Sequence, residues 1–384
     1  MKPKLIIAAA GSGKSTHLVK LLAEVADERV LITTYTDANA EAVEKKTISR
    51  LGFIPPNLTI KPWFSFLLHD GVRPYQGGMI DERISNMHFV GMRRSASYTT
   101  SNGDFYQIPD TEKEHYIDSR GWIYSDKLSK FTDKVDELHQ GAVIKRICKL
   151  YKHIFIDEVQ DLNGYDLEIL RKLAMTCEHL VMVGDVRQVA YRTHTDQKNS
   201  QYNNGKIADF FRKVKVARKP VVEIDTESLS TSYRCCPQIC DVANKVFPDL
   251  PQCSSSNNIM TEHDGVFFVR EEEVDKYREL YHPQILRHSE SDKMDDNSIN
   301  FGASKGLEFN RILIYPTKNM RQWFLNNETK LAEETRAKLY IALTRARQSV
   351  GVVVPSKALK KRNALSLAVW NNEPQQSLFD LFDD

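Results

Sequence analysis

Leu5-Ile6-Ile7-Ala8-Ala9-Ala10-Gly11-Ser12-Gly13-Lys14-Ser15-Thr16 decides the fold of this chain. An apolar run, a small-residue turn with two glycines, and Lys-Ser-Thr at the mouth of a helix make a P-loop. Backbone N–H groups of Ala10, Gly11, Ser12, Gly13 and on to Thr16 are then expected to face the phosphates of a nucleotide. Lys14 would reach the terminal phosphates and the Ser15 hydroxyl would ligate Mg²⁺. The strict pattern begins with Gly, where this chain has Ala8.

Working outward, apolar runs over 30–34, 153–157 and 180–183 read as strands, and 37–50 as a helix capped by Asp37. Two of the strands end in acid, at Asp157 and at Gly184-Asp185. Strands alternating with helices, with acids at the strand ends, indicate a parallel, doubly wound α/β sheet whose ligand lies at the carboxyl edge. The stretch 66–139 is polar, Gly/Ser-rich and aromatic without a sustained period, and reads as an insertion. A second α/β run begins near 228. It has strands at 228–232, 266–269, 285–287, 312–315 and 350–354, and helices at 237–246 and near 330–344.

Composition sets outer bounds. The 384 residues suffice for two or three packed domains, and 53 Lys and Arg against 51 Asp and Glu leave a formal charge of only +2. A nucleic-acid surface must therefore be local. No apolar stretch reaches membrane-spanning length, and the first residues lack a signal-peptide layout, so a soluble cytoplasmic protein is expected. Six cysteines form no disulfide framework. Cys235, Cys236, Cys240 and Cys253 cluster without histidines at ligand spacing, and read as buried thiols rather than a metal site.

The chemistry gathers around Ile156-Asp157-Glu158-Val159-Gln160-Asp161. Asp157 at a strand end can hold Mg²⁺ through water, and Glu158 can orient and deprotonate an attacking water. Adjacent acids after an apolar strand suit hydrolysis better than transfer to a small acceptor. With Gly184-Asp185-Val186-Arg187-Gln188 and Tyr191-Arg192, this segment resembles the UvrD/Rep type of superfamily 1 DNA helicases. Thr33-Thr34-Tyr35-Thr36, Tyr233-Arg234, Ser304-Lys305-Gly306-Leu307-Glu308-Phe309 and Tyr340-Ile341-Ala342-Leu343-Thr344-Arg345-Ala346-Arg347 follow in the family's order.

The resemblance implies two RecA-like P-loop domains with parallel sheets. The first would comprise 1–65 and 140–227, interrupted by a small 1B-like subdomain at 66–139. The second would run over 228–356, followed by a basic tail at 357–384. Gln188 would sense the γ-phosphate of ATP. Arg234 and Arg345 would act on it as arginine fingers, each able to matter by ~10³–10⁵ in rate. Glu308 resembles the family's nucleotide-sugar contact, and Tyr233 the aromatic that packs on the base. Thr33, Thr34, Tyr35, Phe64 and Tyr191 would contact single-stranded DNA, the aromatics by sequence-tolerant stacking.

Departures from the family pattern shape the expectation. No upstream adenine-reading Gln motif fits before Leu5, Thr16 replaces the family's Arg, and about 70 residues between Arg234 and Lys305 leave no room for the 2B subdomain. Gln375-Gln376-Ser377-Leu378-Phe379 is similar to the bacterial sliding-clamp-binding pentapeptide. Leu378 and Phe379 would be its apolar anchors and Gln375 its register-fixing hydrogen bonder. The expected activity is a Mg²⁺- and ATP-dependent single-stranded DNA translocase or helicase, 3′ to 5′ by resemblance, recruited to a sliding clamp. A second reading is a non-unwinding ATP-driven switch or recruitment subunit for a nuclease or a replication or repair partner.

Overall fold

The computed structural model describes residues 2–25, 27–90, 95–189, 197–288, 297–326, 329–361 and 365–371. The chain divides into two compact units, Met1–Ser230 and Thr231–Asp384.

The first unit is built on β1 (Lys4–Ile7), α1 (Lys14–Ala23), β2 (Val30–Thr34), α2 (Asp37–Leu51) and β3 (Leu58–Pro62). There follow α3 (Leu128–Leu138), inside the 66–139 stretch, and then α4 (Ala142–Leu150), β4 (His153–Ile156), α5 (Tyr165–Thr176), β5 (His179–Gly184) and β6 (Glu223–Asp225). The strands form a six-stranded sheet in the order β6-β1-β5-β4-β2-β3, parallel throughout. Both faces are covered, as parallel sheets require. Leu5, Ile7, Leu31, Ile154, Ile156 and Met182 pack toward α3, α4 and α5 on one side. Ile6, Ile32, Phe155, Val181 and Val183 meet Leu18 and Leu22 of α1 and Val43 of α2 on the other. The alternation follows from the two-residue strand period.

Thr36, rather than the expected Asp37, caps α2: its hydroxyl accepts from Asn39 N at 3.2 Å. Within 66–139, α3 carries apolar residues at helical spacing, Leu128, Phe131 and Val135, and these join Phe66, Leu67 and Val72 in the core of the first unit. The margins of this stretch are therefore part of the main core. Its middle holds short strand pairs, Met87–His88 with Ile123–Tyr124 and Ser97–Thr99 with Phe105–Gln107. A strand over 228–232 shrinks to Thr231–Ser232, paired with Ser254–Ser255, while β6, which the sequence did not announce, forms the sheet edge. Lys4 holds that edge through Asp225 at 2.7 Å.

The second unit contains α6 (Pro237–Val246), β7 (Gly265–Arg270), α7 (Val274–Tyr281), β8 (Gln284–Arg287), β9 (Ile299–Asn300) and β10 (Phe309–Tyr315). It continues with α8 (Lys318–Asn326), α9 (Glu333–Leu343), β11 (Ala346–Val354) and β12 (Ala368–Val369). Its sheet is again six-stranded and parallel, in the order β9-β8-β10-β11-β7-β12. Pro237 opens α6 at a position where its missing N–H costs nothing.

A disulfide joins Cys148 to Cys177; Cys235, Cys236 and Cys240 are buried free thiols, and Cys253 is buried beside Cys240. Among the described residues no helix is long and apolar enough to cross a membrane.

Candidate nucleotide site

The P-loop leaves β1 at Ile7 and enters α1 at Lys14. Ala8 N donates to Gly184 O and Ala9 N to Leu229 O, both at 2.8 Å, so the turn is tied to β5 and to the segment after β6. The left-handed positions of the turn are Gly11 (φ 72°) and Gly13 (φ 83°). Ala8 lies in the core, where a methyl group is accommodated; this explains why Gly is dispensable there. Ser12 Oγ is buried at the loop tip without a hydrogen-bond partner. An orphaned donor facing this turn is what a phosphate oxygen would satisfy.

Two contacts join the loop to the end of β4. Ser15 Oγ donates to Asp157 Oδ2 at 2.7 Å, and Lys14 Nζ lies 3.3 Å from Glu158 Oε1. Asp157 is buried. Burial, and then the neighbouring Glu158 charge, push its carboxyl above the usual range, while Lys14 and Ser15 pull it back. Ser15 and Asp157 are oxygen donors of the kind Mg²⁺ takes, and the two fit that ion together. Glu158 has φ 55°, a left-handed conformation rare outside glycine, which turns its carboxylate toward Lys14 immediately after the strand.

Further residues complete the site, and the sequence reading gave them no role. Gln160 Nε2 donates to Glu158, and Gln160 Oε1 accepts from Asp185 N at 3.0 Å. Asp185, fully buried after β5, accepts from Gln188 Nε2 at 2.9 Å and from Arg187 Nη1 at 3.1 Å. Arg187 Nη1 also reaches Ala8 O at 3.3 Å. The P-loop strand, the two acids and Gln188 thus belong to one hydrogen-bonded network. Its sequence signals were the Gln two residues beyond Glu158 and the Asp-x-Arg after an apolar strand.

In the second unit, Arg234 pairs with Glu308 and donates to Thr344 O at 3.1 Å, while Arg347 Nη2 meets the other Glu308 oxygen at 2.6 Å. Burial raises the Glu308 carboxyl, but Arg234 foremost, with Arg347 and Arg345, outweighs this and holds it below the ordinary range. Arg234 Nε is a buried donor without a partner. Arg345 is itself buried; its guanidinium donates to Ile341 O (3.1 Å), Leu307 O (3.2 Å) and the Thr344 hydroxyl (3.4 Å). The Tyr233 ring is exposed.

Of the residues expected to contact DNA, Thr33 and Thr34 are buried with their hydroxyls unpartnered, and Phe64 is 7% exposed and packed in the core. Tyr35 is half-buried and edge-on to Phe64, ring centres 5.9 Å apart. Tyr191, and Gln375, Leu378 and Phe379 of the tail, lie outside the described residues.

A P-loop, a buried strand-end acid beside its hydroxyl and a second acid against its lysine define a nucleoside-triphosphate-hydrolysing protein of α/β architecture, with two RecA-like parallel sheets. The chain matches the AAA domain family over residues 1–194 and the viral superfamily 1 RNA helicase core domain over residues 113–354. It therefore belongs to the superfamily 1 helicases and is an ATP-driven enzyme.

A probable DNA helicase of Mycoplasma pneumoniae is 21% identical over 443 residues, covering 91% of this chain and 80% of that protein. One component of an ATP-dependent helicase/nuclease from Carboxydothermus hydrogenoformans is 38% identical over 56 residues, 15% of this chain and 5% of that one. Among solved structures, the arterivirus nonstructural protein 10 helicase superposes with a TM-score of 0.47 at 14% identity, over 93% of this chain and 61% of that one. The PRRSV helicase gives 0.44 at 18%, over 95% and 55%. The chain thus spans about three fifths of the length of these viral helicases.

Proposed function

We propose that this chain is a Mg²⁺- and ATP-dependent motor on single-stranded DNA, of UvrD/Rep type, moving 3′ to 5′ as a translocase or small helicase. The carrying observation is the paired contact of Lys14 with Glu158 and of Ser15 with Asp157. Ser15 and Asp157 would hold Mg²⁺, which when bound offsets phosphate charge and orients the triphosphate. Lys14 would exchange its Glu158 contact for the terminal phosphates, releasing that carboxylate to accept a proton from the attacking water. Asp185 would keep Gln188 poised at the γ-phosphate. Arg234, with one donor unpartnered, is the second-unit group best suited to stabilise charge on the phosphoryl group. The DNA substrate is supported by the likeness to the mycoplasma protein named a probable DNA helicase. Recruitment to a sliding clamp rests on Gln375, Leu378 and Phe379.

The test is ATP hydrolysis with and without single-stranded DNA, beside unwinding of duplexes bearing a 3′ or a 5′ tail. DNA-stimulated hydrolysis with preference for the 3′ tail is expected. Hydrolysis indifferent to DNA overturns the motor reading in favour of a switch. Deletion of residues 375–384 should abolish clamp binding; unchanged clamp affinity removes that partner.

A further inference from the structure

Far from the nucleotide site, at the amino-terminal edge of the first sheet, two histidines open neighbouring strands. His153 begins β4 and His179 begins β5, and the two are paired in register. In-register residues of adjacent parallel strands lie about 4.8 Å apart and project to the same face. Their imidazoles accordingly stack, centroids 4.4 Å apart and planes 7° from parallel. Glu28, in the connection between α1 and β2, reaches His153 Nε2 with Oε2 at 2.7 Å. Asn57 donates to Glu28 O at 2.9 Å and His153 N to Arg29 O at 3.3 Å, so the backbone beneath the carboxylate is fixed. One ligand atom from each of the three side chains lies within 4.8 Å of the other two.

We propose that Glu28, His153 and His179 form a binding site for a divalent transition-metal ion of the zinc class. Two imidazoles and one carboxylate, with solvent completing the shell, suit Zn²⁺, Co²⁺ or Ni²⁺ and disfavour the hard-oxygen ion Mg²⁺. Coordination at about 2.1 Å brings ligand atoms to about 3.4 Å from one another in a tetrahedron. From the stacked arrangement both imidazoles must turn so that their in-plane lone pairs meet at one ion, and Glu28, whose side chain is 55% exposed, must trade its His153 contact for that ion. Lys152 nearby is engaged by Glu178 at 2.6 Å, which offsets its charge. From His153 to Ile156, the residue before Asp157, is about 10 Å of extended strand, so this ion would not compete with Mg²⁺ at the nucleotide. It would tie the α1–β2 connection to the two strands that deliver Asp157 and Asp185.

The experiment is calorimetric titration of the chelator-stripped full chain with Zn²⁺ alone, and with Co²⁺ read by its visible spectrum. One saturable ion per chain with nitrogen–oxygen ligand bands is expected. Affinity should fall about tenfold in Glu28→Ala, whose exposed side chain can be removed without disturbing the fold, and at least a hundredfold in the His153→Ala/His179→Ala double variant. Thermal melts with and without Zn²⁺ should show an upshift that the double variant lacks. Absence of one-to-one binding, unchanged affinity in the variants, or thiolate-to-cobalt bands assigning the ion to cysteines would each overturn the proposal.

Discussion

Gln160 and Asp185 meet at one hydrogen bond, Asp185 N to Gln160 Oε1 at 3.0 Å, while the other end of the same amide donates to Glu158. A single side chain therefore links the candidate general base to the residue that positions Gln188. Both acids follow adjacent strands of the sheet, and the link crosses from one strand end to the next.

Removing this link should separate chemistry from binding. In Gln160→Ala the Glu158 carboxylate loses its lateral support and Asp185 N its acceptor. Small misplacement of a reacting group is costly, so kcat for ATP should fall about 10- to 100-fold. Nucleotide affinity, which rests on Lys14 and the P-loop amides, should change less than about twofold. Glu158→Gln should lose turnover more completely with binding retained. Equal losses of binding and turnover in Gln160→Ala would remove Gln160 from a positioning role. The measurement is steady-state hydrolysis beside equilibrium binding of a fluorescent ATP analogue.

Gly184 is constrained by the same amide. A Cβ at Gly184 would collide with Gln160 Oε1 and lie 3.0 Å from Val159 Cγ1. Gly184→Ala must displace Gln160 or the strand end. We expect a destabilisation of about 1–3 kcal/mol by overpacking, measured by urea unfolding, together with a kcat loss like that of Gln160→Ala. Wild-type activity in Gly184→Ala would show that the Gln160 bridge is not needed for turnover.

Arg234 and Arg345, alike in the sequence reading, differ in surroundings. Arg345 is buried and its guanidinium is shared among carbonyls and a hydroxyl of its own unit, so Arg345→Ala leaves Ile341 O and Leu307 O without these donors. A loss of about 3 kcal/mol is expected. In Arg234→Ala, Glu308 keeps Arg347, and the loss should be nearer about 1 kcal/mol. Arg234→Ala should nonetheless lower kcat strongly. Urea unfolding of both variants, followed by hydrolysis well below their unfolding midpoints, separates the two roles.

What was legible in the sequence is what chemistry confines to a short contiguous stretch. Phosphate binding needs a turn of small residues with Lys and Ser in fixed order, so the P-loop could be read directly, as could Asp157 and Glu158 after their apolar strand. The bridge through Gln160 could not, because Asp185 lies 25 residues further on and becomes its neighbour only through strand pairing. Polar residues at a strand end usually mark the open edge, so the burial of Thr33 and Thr34 could not be read from their types. Strand β6 is three residues with charges at both ends, too short to show a period, and is held by Lys4 from the other end of the unit. Helix α3 stood behind a polar, Gly-containing stretch that masked its apolar spacing.

The disulfide between Cys148 and Cys177 offers a last test, independent of nucleotide. Cys148 lies in α4, which leads into β4, and Cys177 follows α5, which leads into β5. The bond therefore holds together the approaches to the two strands that carry the candidate catalytic acids and the Asp185 turn. Its partners are 29 residues apart, and closing a loop of that length restricts the unfolded chain by about 3.5 kcal/mol in the chain-entropy treatment. Reduction should lower the urea midpoint of the wild-type chain, and Cys148→Ser should match the reduced wild type and show no further response to reductant. The buried free thiols Cys235, Cys236 and Cys240 remain in that variant as an internal control. If Cys148→Ser still responds to reductant, or if reduction leaves the wild-type midpoint unmoved, the bond does not contribute to holding the first unit together.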